Sequence, residues 1–212
     1  MISWTAAAGI AVIAFGLVVT PGPNMIYLVS RSVSQGRRAG LISLGGVAAG
    51  FLVYLAAAAA GIAAVFALVP ELYLALKLAG AGYLGWLAWK AFRPGASSIF
   101  TPAELAPDRP RKLFGMGLLT CLLNPKIAIL YVSLLPQFVD PGRGHVGLQS
   151  FLLGLVQIVV GIAMNALFVF TAGSLGTFFR RRPAWLRIHR YLTGTALAAF
   201  AVRLAVERPH PA

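Results

Sequence analysis

Residues 21–24 of the chain are Pro21-Gly22-Pro23-Asn24, and they interrupt an apolar segment that is otherwise long enough to cross a membrane. A second interruption, Asn124-Pro125-Lys126, lies in an apolar segment of the second half. Proline costs about 3 kcal/mol in a helix interior, and the backbone groups that it frees at membrane depth must be covered by protein or water. One such break near the start of each half predicts two broken helices that face one central site.

The composition indicates an integral membrane protein. Of the 212 residues, 59% are hydrophobic and 11% are charged, whereas a soluble domain has about 25% charged residues. The runs 41–69 and 151–179 contain no charge, and each is longer than the roughly 20 apolar residues that span a bilayer. The chain is therefore predicted to be an all-α integral membrane protein, and its first apolar segment is expected to be a retained span.

The apolar segments predict six transmembrane helices, at residues 4–30, 39–69, 71–92, 114–138, 147–177 and 187–206. The proline-rich, charged stretch 93–113 is predicted to be a linker between two three-helix repeats, 1–92 and 114–212. Because each repeat has an odd number of spans, the second must insert in the opposite orientation to the first. The sequence thus predicts two inverted repeats, with helices 1 and 4 broken at the Pro/Asn motifs.

The net charge of +13 is explained by membrane orientation rather than by nucleic-acid binding. The basic residues concentrate in the first, third and fifth loops, so the positive-inside rule places these loops in the cytoplasm and the N-terminus outside. The sixth segment is short and contains Arg203. If it does not cross, the C-terminus lies inside.

The two breaks supply the candidate substrate-binding residues. The helix that begins after each proline exposes unpaired N–H groups suited to a carboxylate, while freed carbonyl groups suit an ammonium group or another cation. Asn24 and Asn124 offer donors and acceptors together. Lys126 could pair with a substrate carboxylate or act in gating, or it could snorkel or bond to freed carbonyls near the kink. The residues expected to hold the unwound segments are Pro21, Gly22, Pro23 and Pro125.

Two further polar residues, Gln157 and Asn165, are eight positions apart in the fifth span. This spacing places them on nearly one helical face. They are candidates for lining the substrate pathway opposite the breaks, and hydrogen bonding between helices explains them equally well.

The acidic residues limit the class of substrate. None lies inside a predicted span, since all five fall in loops or at span ends: Glu71, Glu104, Asp108, Asp140 and Glu207. A carrier of lysine or arginine would be expected to place a counter-charge in its pathway, and a divalent-metal pathway needs carboxylates or imidazoles. The pattern therefore favours a neutral substrate and predicts no metal and no cofactor. Nothing resembles a hydrolytic triad, a phosphate loop or an ATP site, so an enzyme is not expected.

These motifs resemble the lysine exporter superfamily (LysE/RhtB), specifically its branch of homoserine/threonine resistance exporters. The similarity covers nearly the whole chain in order, and it is carried by the segments 21–24, 36–41, 76–84, 114–115, 124–126 and 135–138. It implies a multi-pass exporter of amino acids or related metabolites in the bacterial inner membrane, driven by the proton motive force, and it allows a homodimer. The basic-amino-acid exporters of the superfamily carry an acidic residue in the second span, where this chain has Gly50-Phe51.

The leading hypothesis is secondary active export of a neutral amino acid, such as homoserine, threonine or leucine, by alternating access. The alternatives are efflux of a cation or another toxic solute, and a membrane scaffold or enzyme subunit that does not transport.

Overall fold

The computed structural model describes residues 2–20, 22–62 and 107–181, together with single helical positions between residues 78 and 92 and between 191 and 206. Within this part of the chain the regular structure is helical and no strand occurs. Its α-helices are α1 (Trp4–Val19), α2 (Pro23–Gln35), α3 (Arg37–Ala57), α4 (Pro110–Leu122), α5 (Pro125–Ile129) and α6 (Val146–Arg181). Two π-helical turns (Ala58–Ile62, Leu130–Leu134) and two 3-10 turns (Leu135–Phe138, Pro141–Arg143) complete the regular elements.

The first Pro/Asn motif produces a bend of 53° between α1 and α2. Proline occupies the first position of α2, where its missing N–H and fixed φ are tolerated. Gly22 before it is extended, so α1 cannot continue into α2. Pro21 itself lies outside the described residues.

The second motif bends the chain by 47° between α4 and residues 125–138. Pro125 again begins the helix, and Asn124 caps it because its side-chain oxygen accepts the N–H of Lys126 at 3.1 Å. This use of asparagine and proline at a helix start follows their ordinary preferences. The two breaks that the sequence predicts are therefore present, each with a proline at the start of the second segment.

Two described helical segments, Arg37–Gly61 and Val146–Ala172, are long and apolar enough to cross a membrane. If each of the two bent helix pairs is one span, the described residues contain up to four. The second, fourth and fifth predicted spans correspond to α3, to α4 with α5, and to α6. The predicted third and sixth spans, and the linker up to residue 106, lie largely outside the described residues. The six spans and the inverted repeats therefore stay predictions. The division of the chain by a linker at 93–113 also stays a prediction, and α4 begins within that range, at Pro110.

Helices α3 and α4 pack in backbone contact through glycines. A Cβ atom on Gly46 would overlap the carbonyl oxygen of Phe114, and one on Gly117 would overlap that of Ser43. A Cβ atom on Gly50 would overlap the side chain of Cys121, which is buried and not in a disulfide. Small residues at this spacing allow close approach of membrane helices.

A polar cluster attaches the end of α2 to the start of α4. It consists of Arg31 and Gln35 on α2, Asp108 before α4 and Lys112 on α4, and we call it the Asp108 cluster. Arg31 Nη1 bonds to Asp108 Oδ2, and Lys112 Nζ lies 2.6 Å from Oδ1. Gln35 both donates to the Asp108 carboxylate and accepts the Asp108 N–H, at 3.1 and 3.0 Å. The hydrogen bond from Lys112, followed by that from Gln35, lowers the pKa of the Asp108 carboxyl.

The outward faces of the described helices carry large apolar side chains. These exposed residues include Val12, Phe15, Leu52, Val53, Leu119, Leu123, Val159, Leu167 and Phe170. Such a surface would be unfavourable in water over this extent, whereas it matches the hydrocarbon interior of a bilayer. The helices thus have the outer surface of an integral membrane protein.

Candidate functional site

All five predicted binding residues line one cavity between the two breaks: Asn24, Asn124, Lys126, Gln157 and Asn165. Thr20 and Gly22 of the first break contribute to the same wall. The cavity volume is about 20 Å³, which is room for roughly one water molecule. The described conformation is therefore closed around the site, and entry of a larger solute requires the elements to move.

Lys126 reaches from the second break into the first. Its side chain is only 4% exposed, and its Nζ donates to the carbonyl oxygens of Leu17 at 2.9 Å and Thr20 at 2.7 Å. These carbonyls lie at the end of α1, where the interruption leaves them without intrahelical donors and where the helix dipole is negative. The sequence allowed Lys126 to pair with a substrate, to act in gating, to snorkel or to bond to freed carbonyls. In this conformation it bonds to freed carbonyls.

Asn24 and Asn165 bring unpaired acceptors to the cavity. Both side chains are buried, and among the described residues neither Asn24 Oδ1 nor Asn165 Oδ1 has a hydrogen-bond donor. Asn165 Nδ2 donates to the Gly161 carbonyl of its own helix at 2.8 Å, and Asn24 lies beside the Cys121 thiol. A buried acceptor without a donor costs about 1–3 kcal/mol, so these oxygens indicate a place for a donor that is absent from the closed protein.

Asn124 differs from the other two asparagines, because its oxygen is already used. It caps α5 by accepting the Lys126 N–H, so its Nδ2 group and one remaining lone pair of Oδ1 are left for a ligand. The Asn-Pro-Lys motif therefore serves first to begin α5 and to set the direction of the Lys126 side chain.

Gln157 is bound to Tyr131, whose hydroxyl donates to Gln157 Oε1 at 2.6 Å. Gln157 lines the central cavity, whereas Tyr131 lines a second cavity of about 250 Å³ with Tyr54 and Ser150. The Ser150 hydroxyl is buried and has no partner among the described residues. The Tyr131–Gln157 pair thus lies between the central cavity and the larger second one.

The carbonyl groups freed at the two breaks are covered from the opposite half of the chain. Lys126 covers those of α1, while Tyr54 of α3 donates its hydroxyl to the Leu122 carbonyl at the end of α4, at 2.8 Å. At membrane depth such carbonyls need a protein donor or water. Each break is therefore stabilised by a residue from the other half.

The structure adds site residues that the sequence reasoning did not select. The carbonyls of Leu17 and Thr20 are backbone groups, so no side-chain pattern could identify them. Phe51 also lines the cavity and is buried, and an apolar residue within an apolar span carries no sequence signal of a binding role. Within the described residues, no cluster of three His, Cys, Asp or Glu side chains is suited to a metal ion.

Comparison with known proteins agrees with this architecture. A family model described as LysE type translocator matches residues 15–208. A membrane protein of Pseudomonas aeruginosa is 29% identical over 209 residues, covering 95% of this chain and 94% of the relative. Leucine efflux proteins are similar at 25% identity in Klebsiella pneumoniae, over 89% of each chain, and at 27% in Salmonella typhimurium, over 95% of this chain and 93% of the relative. No solved structure gives a significant match.

The family model covers most of the chain, and the relatives align over nearly their full length. The members of this family are transporters rather than enzymes. The chain therefore belongs to the LysE type translocator family of membrane transport proteins.

Proposed function

We propose that this protein exports a neutral amino acid or a related metabolite, and that the zwitterion binds in the cavity between the two breaks. The observation that carries the proposal is the content of that cavity, where one buried ammonium group and two unpaired amide oxygens lie together. An amino acid offers the complementary carboxylate and ammonium group. Leucine-like, threonine-like and homoserine-like side chains are the candidates.

The carboxylate would bind at the start of α2. Because α2 begins with Pro23, the N–H groups of Asn24 and Met25 have no acceptors within the helix. The positive end of the helix dipole lies at the same place, and both residues line the cavity. Lys126 also lines the cavity, and its ammonium form would pair with the carboxylate.

The substrate ammonium group would find acceptors on the same walls. Asn24 Oδ1 and Asn165 Oδ1 are both buried and without donors among the described residues. Binding a substrate N–H there would satisfy acceptors that are left unpaired in the closed conformation. Gln157 and the Nδ2 group of Asn124 are further contacts that the proposal assigns to the substrate.

The remaining residues of the cavity lining favour a substrate with a neutral side chain. Phe51, Leu17 and Leu130 line it, so the wall suits an aliphatic group and provides no carboxylate for a basic side chain. The names of the leucine efflux relatives agree with this choice. Efflux of a cation is the less favourable alternative, because the Lys126 charge in the cavity would repel it.

The proposed membrane arrangement is that of the sequence analysis. The protein lies in the bacterial inner membrane with six spans in two inverted repeats, and the Asp108 cluster faces the cytoplasm. In this arrangement the cluster closes the cytoplasmic side of the site. Export is secondary active by alternating access, and a proton gradient that leaves the efflux rate unchanged in liposomes would remove proton coupling from the proposal.

The experiment that tests the function is efflux from liposomes containing the purified protein. Each preparation is loaded with one labelled amino acid from a panel of leucine, threonine, homoserine, lysine and arginine. We expect the neutral amino acids to leave faster than from protein-free liposomes and the basic ones to leave at the background rate. Preferential release of lysine or arginine would contradict a neutral substrate, and release of none would contradict amino-acid export.

The site is tested with N165A and a control on the same helix. Thr171 bonds to the Leu167 carbonyl of its own helix at 2.6 Å and does not line the cavity, so T171A should export at the wild-type rate. N165A is expected to reach wild-type abundance and to lose export. Equal export by the two variants would remove Asn165 from the site.

A further inference from the structure

We infer that the carbonyl oxygens of Leu17 and Thr20 form a binding site for a primary ammonium group, which Lys126 fills when no substrate is bound and which the substrate ammonium group takes during transport. This inference rests on the proposed function and extends it. It makes Lys126 an internal replacement for the substrate cation.

The geometry of the carbonyl pair supports a site of this chemistry. The two oxygens lie 2.9 and 2.7 Å from one Nζ, within the range of charge-assisted hydrogen bonds. They belong to the negative end of α1, and a lysine ammonium and an amino-acid ammonium each present three N–H donors. A substrate cation could therefore make the same two bonds that Lys126 makes.

The space around the site shows that Lys126 occupies the position a ligand would need. A Cβ atom on Gly22 would overlap Lys126 Cε and Nζ, so the extended glycine leaves the channel through which the side chain passes. The remaining cavity holds roughly one water molecule. Withdrawal of the lysine side chain is thus the movement that would open a volume for the substrate.

The described residues that line the cavity include no carboxylate, and this gives the exchange its function. A buried ammonium group without a counter-ion is costly, and bare carbonyls at membrane depth are costly as well. Lys126 and the carbonyls relieve each other in the empty transporter. When substrate binds, its ammonium group takes the carbonyls and its carboxylate becomes the partner of the released Lys126.

The exchange also provides a way for the empty transporter to return to the conformation that binds substrate. An exporter must reorient without substrate after each release, and that step would expose the carbonyls of α1 if nothing replaced the departing cation. The Lys126 ammonium group takes the place of the departing cation, so no ion needs to bind from solution. Lys126 is therefore expected to matter more for the return of the empty transporter than for exchange of one substrate molecule for another.

The binding site is tested directly with K126A and n-propylammonium chloride. The variant keeps Cβ and removes three carbons and the ammonium group, which is the size of this amine, so the salt should raise its thermal unfolding midpoint in a saturable manner. The wild type, whose site is occupied, should not respond. n-Propanol and tetramethylammonium chloride are the controls, because the first has no charge and the second has no N–H donor. Equal responses of K126A and the wild type, or no response of either, would overturn the inference.

The role in return is tested with K126M, which keeps the length of the side chain and also serves if K126A does not accumulate. Net efflux and exchange are measured in the same liposomes at saturating amino acid. We expect the ratio of net efflux to exchange to fall about tenfold or more, the factor that corresponds to losing one hydrogen bond to a charged group. An unchanged ratio would overturn the role in return. A wild type that moves no amino acid would contradict the proposed function instead, and the propylammonium measurement would still decide whether the ammonium site exists.

Discussion

Lys126 Nζ donates a hydrogen bond of 2.7 Å to the carbonyl oxygen of Thr20, although the two residues are 106 positions apart in the chain. The bond joins the second broken helix to the first, and it satisfies a carbonyl that the break has released. It makes the two Pro/Asn motifs parts of one site, since neither motif is complete without the other. The following predictions test this connection and the packing that supports it.

Gly22 should be required to be a glycine. In G22A the new methyl group overlaps the end of the Lys126 side chain, so the ammonium group is displaced from its carbonyls. We expect a lower thermal unfolding midpoint and slower export. The control is G115A on α4, where a methyl group meets no atom within 4 Å. If G22A matches G115A in both measurements, the Lys126 side chain is free to leave this position at no cost.

The contact between α3 and α4 should depend on Gly46 and not on its neighbour. A methyl group at Gly46 overlaps the Phe114 carbonyl, which belongs to the backbone and cannot rotate away, whereas one at Gly45 lies 3.7 Å from the Phe114 ring. Overpacking of this kind typically costs about 1–3 kcal/mol. G46A is therefore expected to reduce membrane abundance and thermal stability while G45A keeps both. Similar behaviour of the two variants would show that the helices adjust more readily than the structure indicates.

Tyr131 and Gln157 should behave as a pair. Y131F leaves the buried Gln157 oxygen without its donor, which costs about 1–3 kcal/mol, whereas replacing both partners by apolar groups is often nearly neutral. The double variant Y131F/Q157L is therefore expected to be less destabilised than the sum of the single variants, as measured in a double-mutant cycle of unfolding free energies. Additive losses would mean that the 2.6 Å bond contributes no coupling.

The Asp108 cluster should attach α2 to α4 at all pH values at which the protein is ordinarily handled. Hydrogen bonds from Lys112 and Gln35 lower the pKa of the Asp108 carboxyl. The ionised carboxylate therefore contributes its full stabilisation above the carboxyl pKa of the unfolded chain, about 3.9. This stabilisation is lost as the pH falls through the lower pKa of the folded protein. D108N is expected to lower the unfolding midpoint by the same amount at pH 7 and at pH 5.

The control for this prediction is D140N, which removes an exposed ion pair with Arg143. Exposed pairs contribute about 0–1 kcal/mol, so D140N should have the smaller effect. A difference between the wild type and D108N that disappears between pH 7 and pH 5 would contradict the lowered pKa.

Much of the site could be predicted from sequence because its chemistry depends on side-chain type and on helix breakers. Pro23 and Pro125 begin α2 and α5 through a local preference that requires no knowledge of the fold. The eight-residue spacing of Gln157 and Asn165 is a property of any α-helix, and both residues do line the cavity.

The amino-acid sequence by itself determined that the chain is an all-helical membrane protein, where two of its apolar segments are interrupted, and that no acid lies in the interior of a predicted span. Only the tertiary structure decided that Lys126 bonds to the carbonyls of Leu17 and Thr20 and that Tyr54 bonds to that of Leu122. It also decided that the side-chain oxygens of Asn24 and Asn165 find no donor among the described residues. The physical reason is that local preferences and hydrophobicity depend on neighbouring residues. The partner of a freed carbonyl group depends on which distant helix packs against the break.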